Sequence, residues 1–170
     1  MKVLAIGPHP DDVEGGMGGS IIKFLKLGHE VHILDLTNGE PTPHGTPEIR
    51  SEECKEATAL LGVTDRTTLG LPNRYLFDNT ESRNMVAGVI RKVRPHIMFL
   101  PYWEDAHPDH IQATQIGEAA RFYAKLTKPI WQVNHGIPGV FFIICGLTRG
   151  CIWSRLLLLI SVMSLKARLK

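Results

Sequence analysis

Short apolar runs alternate with longer segments of helical periodicity along residues 1–128. Val3 to Ile6, closed by Gly7-Pro8, has the pattern of a buried strand. Small residues from Gly15 lead into Ile21, Ile22, Phe24 and Leu25 at helical spacing, and Gly28 reads as a C-cap. Val31 to Leu36 predicts a second strand, and 37–46, with two Pro and two Gly, a loop. Pro47 to Leu61 predicts a helix, with Thr46 at the N-cap, Pro47 at the first helical position and Gly62 at the end. Thr67 to Leu71 carries a weaker strand pattern. Asn79 to Val93 predicts a helix with Met85, Val89, Ile90 and Val93 on one face. Ile97 to Leu100 predicts a strand ended by Pro101, and Asp109 to Leu126 a helix. Strands alternating with helices of ~12–15 residues predict an α/β protein with a Rossmann-like parallel sheet and helices on both faces.

Ligands of such sheets bind at the C-terminal ends of the strands. Two polar clusters fall at those ends. Pro8-His9-Pro10-Asp11-Asp12 follows the first strand, and Glu104-Asp105-Ala106-His107-Pro108-Asp109-His110 follows Ile97 to Leu100. The topology brings them together, although about 95 residues separate them. A catalytic zinc site takes three His, Asp or Glu ligands and keeps an open position for water. His9, Asp12 and His110 meet that requirement. Asp11 then stands beside the metal as a candidate general base. His107 and Asp109 can form an imidazole oriented by a carboxylate, suited to an oxyanion or a leaving amine. Taken singly, each cluster also reads as a turn or as a helix cap.

Composition narrows the classes. The 170 residues are 44% hydrophobic, with 16 Gly and 11 Pro, which fits a domain with a real core and excludes collagen-like or wholly disordered chains. A net charge of +2 without a Lys/Arg cluster argues against nucleic acid as a partner. Cys54, Cys145 and Cys151 lack the spacing of a zinc ribbon or a disulfide scaffold. Cys54 has no nearby His to make it a nucleophile. His29, His32, His44, His96 and His135 stand alone and read as surface or core residues. The apolar start, Met1 to Gly7, is too short for a secretory segment, so a cytoplasmic location is expected. A nucleotide-binding module is disfavoured because the first strand-helix turn lacks Gly-x-Gly-x-x-Gly.

Pro-His-Pro-Asp-Asp after the first strand and His-Pro-Asp-His after the fourth resemble the LmbE-like family of zinc-dependent N-deacetylases. That family includes N-acetylglucosaminyl-phosphatidylinositol de-N-acetylases and the deacetylases of mycothiol and bacillithiol synthesis. The resemblance covers residues 1–128 and implies a hydrolase that removes the N-acetyl group from an N-acetylglucosaminyl conjugate, with Zn2+ as cofactor. Its metal ligands fall on His9, Asp12 and His110 and its base on Asp11. Its charge-stabilising histidine falls on His107, protonated, with Asp109 as orienting partner. Its substrate-side arginine matches Arg50, which otherwise reads as a helix ion pair with Glu48 or Glu53. Leu71-Pro72-Asn73-Arg74 resembles a substrate-side loop that commonly reads Leu-Pro-Asp, so Asn73 departs from the pattern and keeps an amide without the charge. Ala106 stands where some relatives place Arg or Tyr. Homo-oligomers, trimers or hexamers, are also implied.

Residues 129–170 differ from the rest. All 17 carboxylates lie in 1–128 beside 14 Lys and Arg, a net −3, whereas 129–170 holds five Lys and Arg and no carboxylate, a net +5. The C-terminal part is therefore expected to be truncated or altered relative to the family, which runs well beyond 170 residues. A frameshift near Lys128 is one cause: Ile130 to Pro138 can be encoded so that another frame reads Met-Ala-Gly-Glu-Pro-Trp-Tyr-Pro, which resembles the family continuation. Val140 to Cys145 can add a strand. Leu156 to Leu165 is apolar but too short to span a bilayer. The alternative to the enzyme is a metal-binding remnant without turnover.

Overall fold

The computed structural model describes residues 1–126 and the backbone of 141–144. Five parallel strands, β1 (Lys2–Gly7), β2 (Glu30–Thr37), β3 (Asp65–Leu71), β4 (Ile97–Leu100) and β5 (Phe141–Ile144), lie in the order β3-β2-β1-β4-β5. Four helices, α1 (Asp12–Lys26), α2 (Pro47–Leu61), α3 (Thr80–Val93) and α4 (Pro108–Ala124), alternate with them. The strand expected over 140–145 is present as β5, paired with β4 from Ile97–Phe141 to Leu100–Ile144. The apolar run at 156–165 and the frame change near Lys128 lie outside the described residues. Among those described, no helix is long and apolar enough to cross a membrane.

Strand side chains alternate between the two faces of the sheet. Val3, Ala5, Val31, Ile33, Ile97 and Phe99 pack with Val13, Met17, Ile21 and Phe24 of α1. Leu4, Ile6, Leu34, Leu36, Met98 and Leu100 pack with α3 and α4 on the other face. Near-continuous apolar strands are what burial on both faces requires. On α3, the face that packs also includes Val86 and Ala87, while Met85 is only half-buried.

The cap signals act where expected around α2. The Thr46 side chain accepts from the Ile49 N–H, and Gly62 closes the helix at φ 76°, the left-handed region where a Cβ is strained. None of the residues of α2 is buried, and a cavity of about 530 Å3 lies between it and β3. Beside that cavity, Arg66 of β3 makes a two-pronged bond to Asp35 of β2, at 2.6 and 2.9 Å, and also reaches Glu14 of α1. Asp35 is fully buried and the Arg66 side chain nearly so. His32 is a core residue bonded to the Thr67 hydroxyl.

Candidate active site

Strand order reverses between β1 and β4, and the crevice outside the C-terminal ends of strands at such a reversal is where ligands bind. β1 ends at Gly7, so Pro8 to Asp11 form the turn into α1; β4 ends at Leu100, and 101–107 lead into α4. The turn is pinned to β2 because the Thr37 N–H and hydroxyl both donate to the Pro8 carbonyl, at 3.0 and 2.9 Å. Gly39 passes so close that a Cβ there would lie 3.0 Å from Pro10 Cδ.

Asp11 occupies the N-cap of α1, yet neither acid of the pair caps the helix through its side chain. Asp12 turns inward. Its Oδ2 accepts from the His9 N–H and lies 3.0 Å from His9 Nδ1, and its Oδ1 lies 3.3 Å from His110 Nε2. His9, Asp12 and His110 thus offer ligand atoms within 4.8 Å of one another, the set expected from the sequence. His9, His107 and Asp109 form a second such group. The Asp109 carboxylate is already committed: Oδ2 accepts from the Arg74 N–H at 2.7 Å and lies 3.2 Å from His9 Nε2, and Oδ1 accepts from the Leu76 N–H. Two imidazoles and one carboxylate on the first set fit a borderline cation such as zinc.

His107 is the N-cap of α4, and Pro108 its first residue. The Asp109 N–H donates to His107 Nδ1 at 3.2 Å. Asp109 therefore orients His107 through its main chain, while its carboxylate serves His9 and the 74–76 loop. The three site imidazoles cluster, with ring centroids 4.8 to 5.6 Å apart.

Electrostatics divides these rings. Burial works against charge on His110, but Asp12 and Asp105 outweigh it and push its pKa up to about 9. His9 is raised for the same reason, with burial opposed by Asp12 and Asp109. Asp12, despite burial, is held well below the usual carboxylate range by His110 and His9. His107 moves the other way, lowered by burial and by the neighbouring His9 and His110. The Asp109 N–H occupies His107 Nδ1 as an acceptor in this contact, which leaves Nε2 as the nitrogen that carries a proton.

Arg50 makes neither of the pairs with Glu48 or Glu53 open to it on a helix. Its Nη1 lies 3.3 Å from Asp11 Oδ2 and its Nε 3.7 Å from Glu40, across the mouth of the site. Asn73 and Arg74 lie in the turn after β3. Arg74 has φ 67° and touches the site through its N–H on Asp109, its side chain being exposed. Two participants were not singled out from sequence: Glu40, whose link to Arg50 is tertiary, and Asp105, which lies inside the second polar cluster.

Residues 4–121 match the family described as PIG-L, GlcNAc-PI de-N-acetylase. The chain is 38% identical over 137 residues to diacetylchitobiose deacetylase of Thermococcus kodakarensis, covering 74% of this chain and 51% of that protein. It is 29% identical over 154 residues to a 1D-myo-inositol 2-acetamido-2-deoxy-alpha-D-glucopyranoside deacetylase of Thermomonospora curvata, covering 71% and 52%. The chain spans about half the length of these curated relatives. Among solved structures, a conserved protein of Thermus thermophilus superposes with a TM-score of 0.77 at 38% identity, over 84% of this chain and 65% of that one. With the family matched across both polar clusters, the chain belongs to the PIG-L family, the LmbE-like group that its two histidine motifs resemble.

Proposed function

We propose that residues 1–128 form the main part of a zinc-dependent N-deacetylase unit that hydrolyses the N-acetyl group of an N-acetylglucosaminyl conjugate, and that 129–170 is an atypical segment that still adds β5 to the same sheet. The observation that carries this reading is the convergence of His9, Asp12 and His110 within 4.8 Å, with Asp11 next to Asp12 and His107 alongside. The substrate class follows the relatives, named as deacetylases of acetylated amino sugars.

Zn2+ on His9, Asp12 and His110 supplies Lewis acidity toward the acetamido carbonyl and toward the attacking water. Asp11 accepts the proton of that water at its carboxylate and returns it to the departing amine nitrogen. Arg50, bonded to Asp11 Oδ2, leaves the other carboxylate oxygen for this transfer. His107, with its proton at Nε2, donates to the carbonyl oxygen as negative charge develops there. The amide C–N bond breaks, giving acetate and the free amine. Arg50 and the Asn73-Arg74 turn flank the mouth and are assigned to substrate.

The reading is tested by metal analysis of the purified chain together with acetate release from a panel of N-acetylglucosamine conjugates. Stoichiometric zinc with acetate release supports the enzyme. Zinc without release from any conjugate leaves the metal-binding remnant, and absence of zinc binding ends both.

A further inference from the structure

Asp105 uses each oxygen on a different site histidine. Oδ1 accepts from the His107 N–H at 2.8 Å, and Oδ2 lies 3.0 Å from His110 Nδ1. An ionised carboxylate can only accept, so Nδ1 of His110 carries a proton in this contact, with or without one on the opposite nitrogen. The opposite nitrogen, Nε2, faces Asp12. One loop side chain therefore sets two things at once: which nitrogen His110 turns toward Asp12, and where the His107 main chain starts α4.

We propose that Asp105 is a positioning residue that holds His110 with Nε2 toward Asp12 and fixes His107 beside it. The proposal rests on the reading of His9, Asp12 and His110 as metal ligands. A histidine whose second nitrogen is tied to a carboxylate has its ring orientation and tautomer set in advance, and loss of such a partner typically weakens metal binding about 10–100-fold. The bonds of Asp105 go to His107 and His110, so it acts through them and not on the reacting atoms.

The experiment compares the full chain with its Asp105→Ala, Asp105→Asn and His110→Ala variants. Zinc affinity is read by competition with a chromophoric chelator, cobalt binding by its visible spectrum, and folding by a cooperative melt. A third readout is solvent exchange of the His110 Nδ1 proton in the zinc-loaded protein. Asp105→Ala is expected to weaken zinc about 10–100-fold and to speed that exchange. Asp105→Asn, which keeps one acceptor oxygen and the side-chain volume, is expected to fall between the two, and carries the test if the alanine variant does not fold. Wild-type affinity and a slowly exchanging Nδ1 proton in both Asp105 variants, with zinc lost in His110→Ala, would overturn the positioning role alone. Unchanged zinc binding in His110→Ala would overturn the ligand reading on which it stands.

Discussion

The main-chain N–H of Asp109 donates to Nδ1 of His107 at 3.2 Å, at the first turn of α4. That single bond decides what the imidazole can do. Its Nδ1 is occupied as an acceptor, which leaves the proton to Nε2, and burial together with two nearby imidazoles lowers its pKa. His107→Ala is expected to retain zinc and lose turnover by about 10²–10³, the size of one oxyanion donor. Loss of zinc in this variant, measured by metal analysis, would make His107 a ligand instead.

Asp11 and Asp12 are adjacent and chemically identical, but the fold gives them opposite surroundings. Asp12 lies between two imidazoles, whereas Asp11 is largely exposed and meets Arg50. Asp12→Ala is expected to cost most of the bound zinc. Asp11→Asn keeps size and hydrogen bonding, so zinc stays while acetate release falls about a hundredfold or more. The reverse pattern in metal content would exchange the two roles.

The raised pKa of His110 makes the metal-free protein pH-sensitive. A folded value of about 9 against an ordinary 6.5 means that this stabilisation is complete below pH 6.5 and is lost as pH rises through 9. The melting temperature of the metal-free chain should fall across that window. Zinc must displace the Nε2 proton, so over the same window its affinity should rise with pH, and binding near neutrality should release protons. Calorimetry in buffers of different ionisation enthalpy checks this; the same heat in every buffer would rule out a protonated ligand set.

Arg66 is the sole cation bonded to Asp35 among the contacts of the described residues, and Asp35 is fully buried. Arg66→Met leaves that carboxylate without its partner and is expected to destabilise the chain by about 3–5 kcal/mol, read by urea unfolding. A loss under about 1 kcal/mol would mean that water or another donor takes over.

Much of this architecture is legible in the sequence because its signals are local. Thr46, Pro47 and Gly62 bound α2 by rules of capping that need no tertiary knowledge, and the apolar runs of β1, β2 and β4 announce burial on both faces. The pairing of β1 with β4 follows from the topology, and with it the meeting of His9 and His110. Side-chain choices among several near neighbours are not local. Arg50 has Glu53 one turn on along its own helix and takes Asp11 and Glu40 instead. The Asp109 carboxylate leaves His107 for His9 and the amides of Arg74 and Leu76, which only the folded loop brings near. The displaced face of α3, with Val86 and Ala87 inward, depends in the same way on where α4 lies.

Among the described helices, Arg50 rides on the one that buries none of its own residues. Segments with little buried apolar contact open at a fraction of the free energy of global unfolding. The bond between Arg50 and Asp11 is therefore a population as well as a distance: each local opening of α2 withdraws the guanidinium and uncovers the acid. Amide hydrogens of α2 should exchange with solvent ahead of those in α1, α3 and α4. Events that steady α2 act on Asp11 from a distance, by changing how often its partner is present.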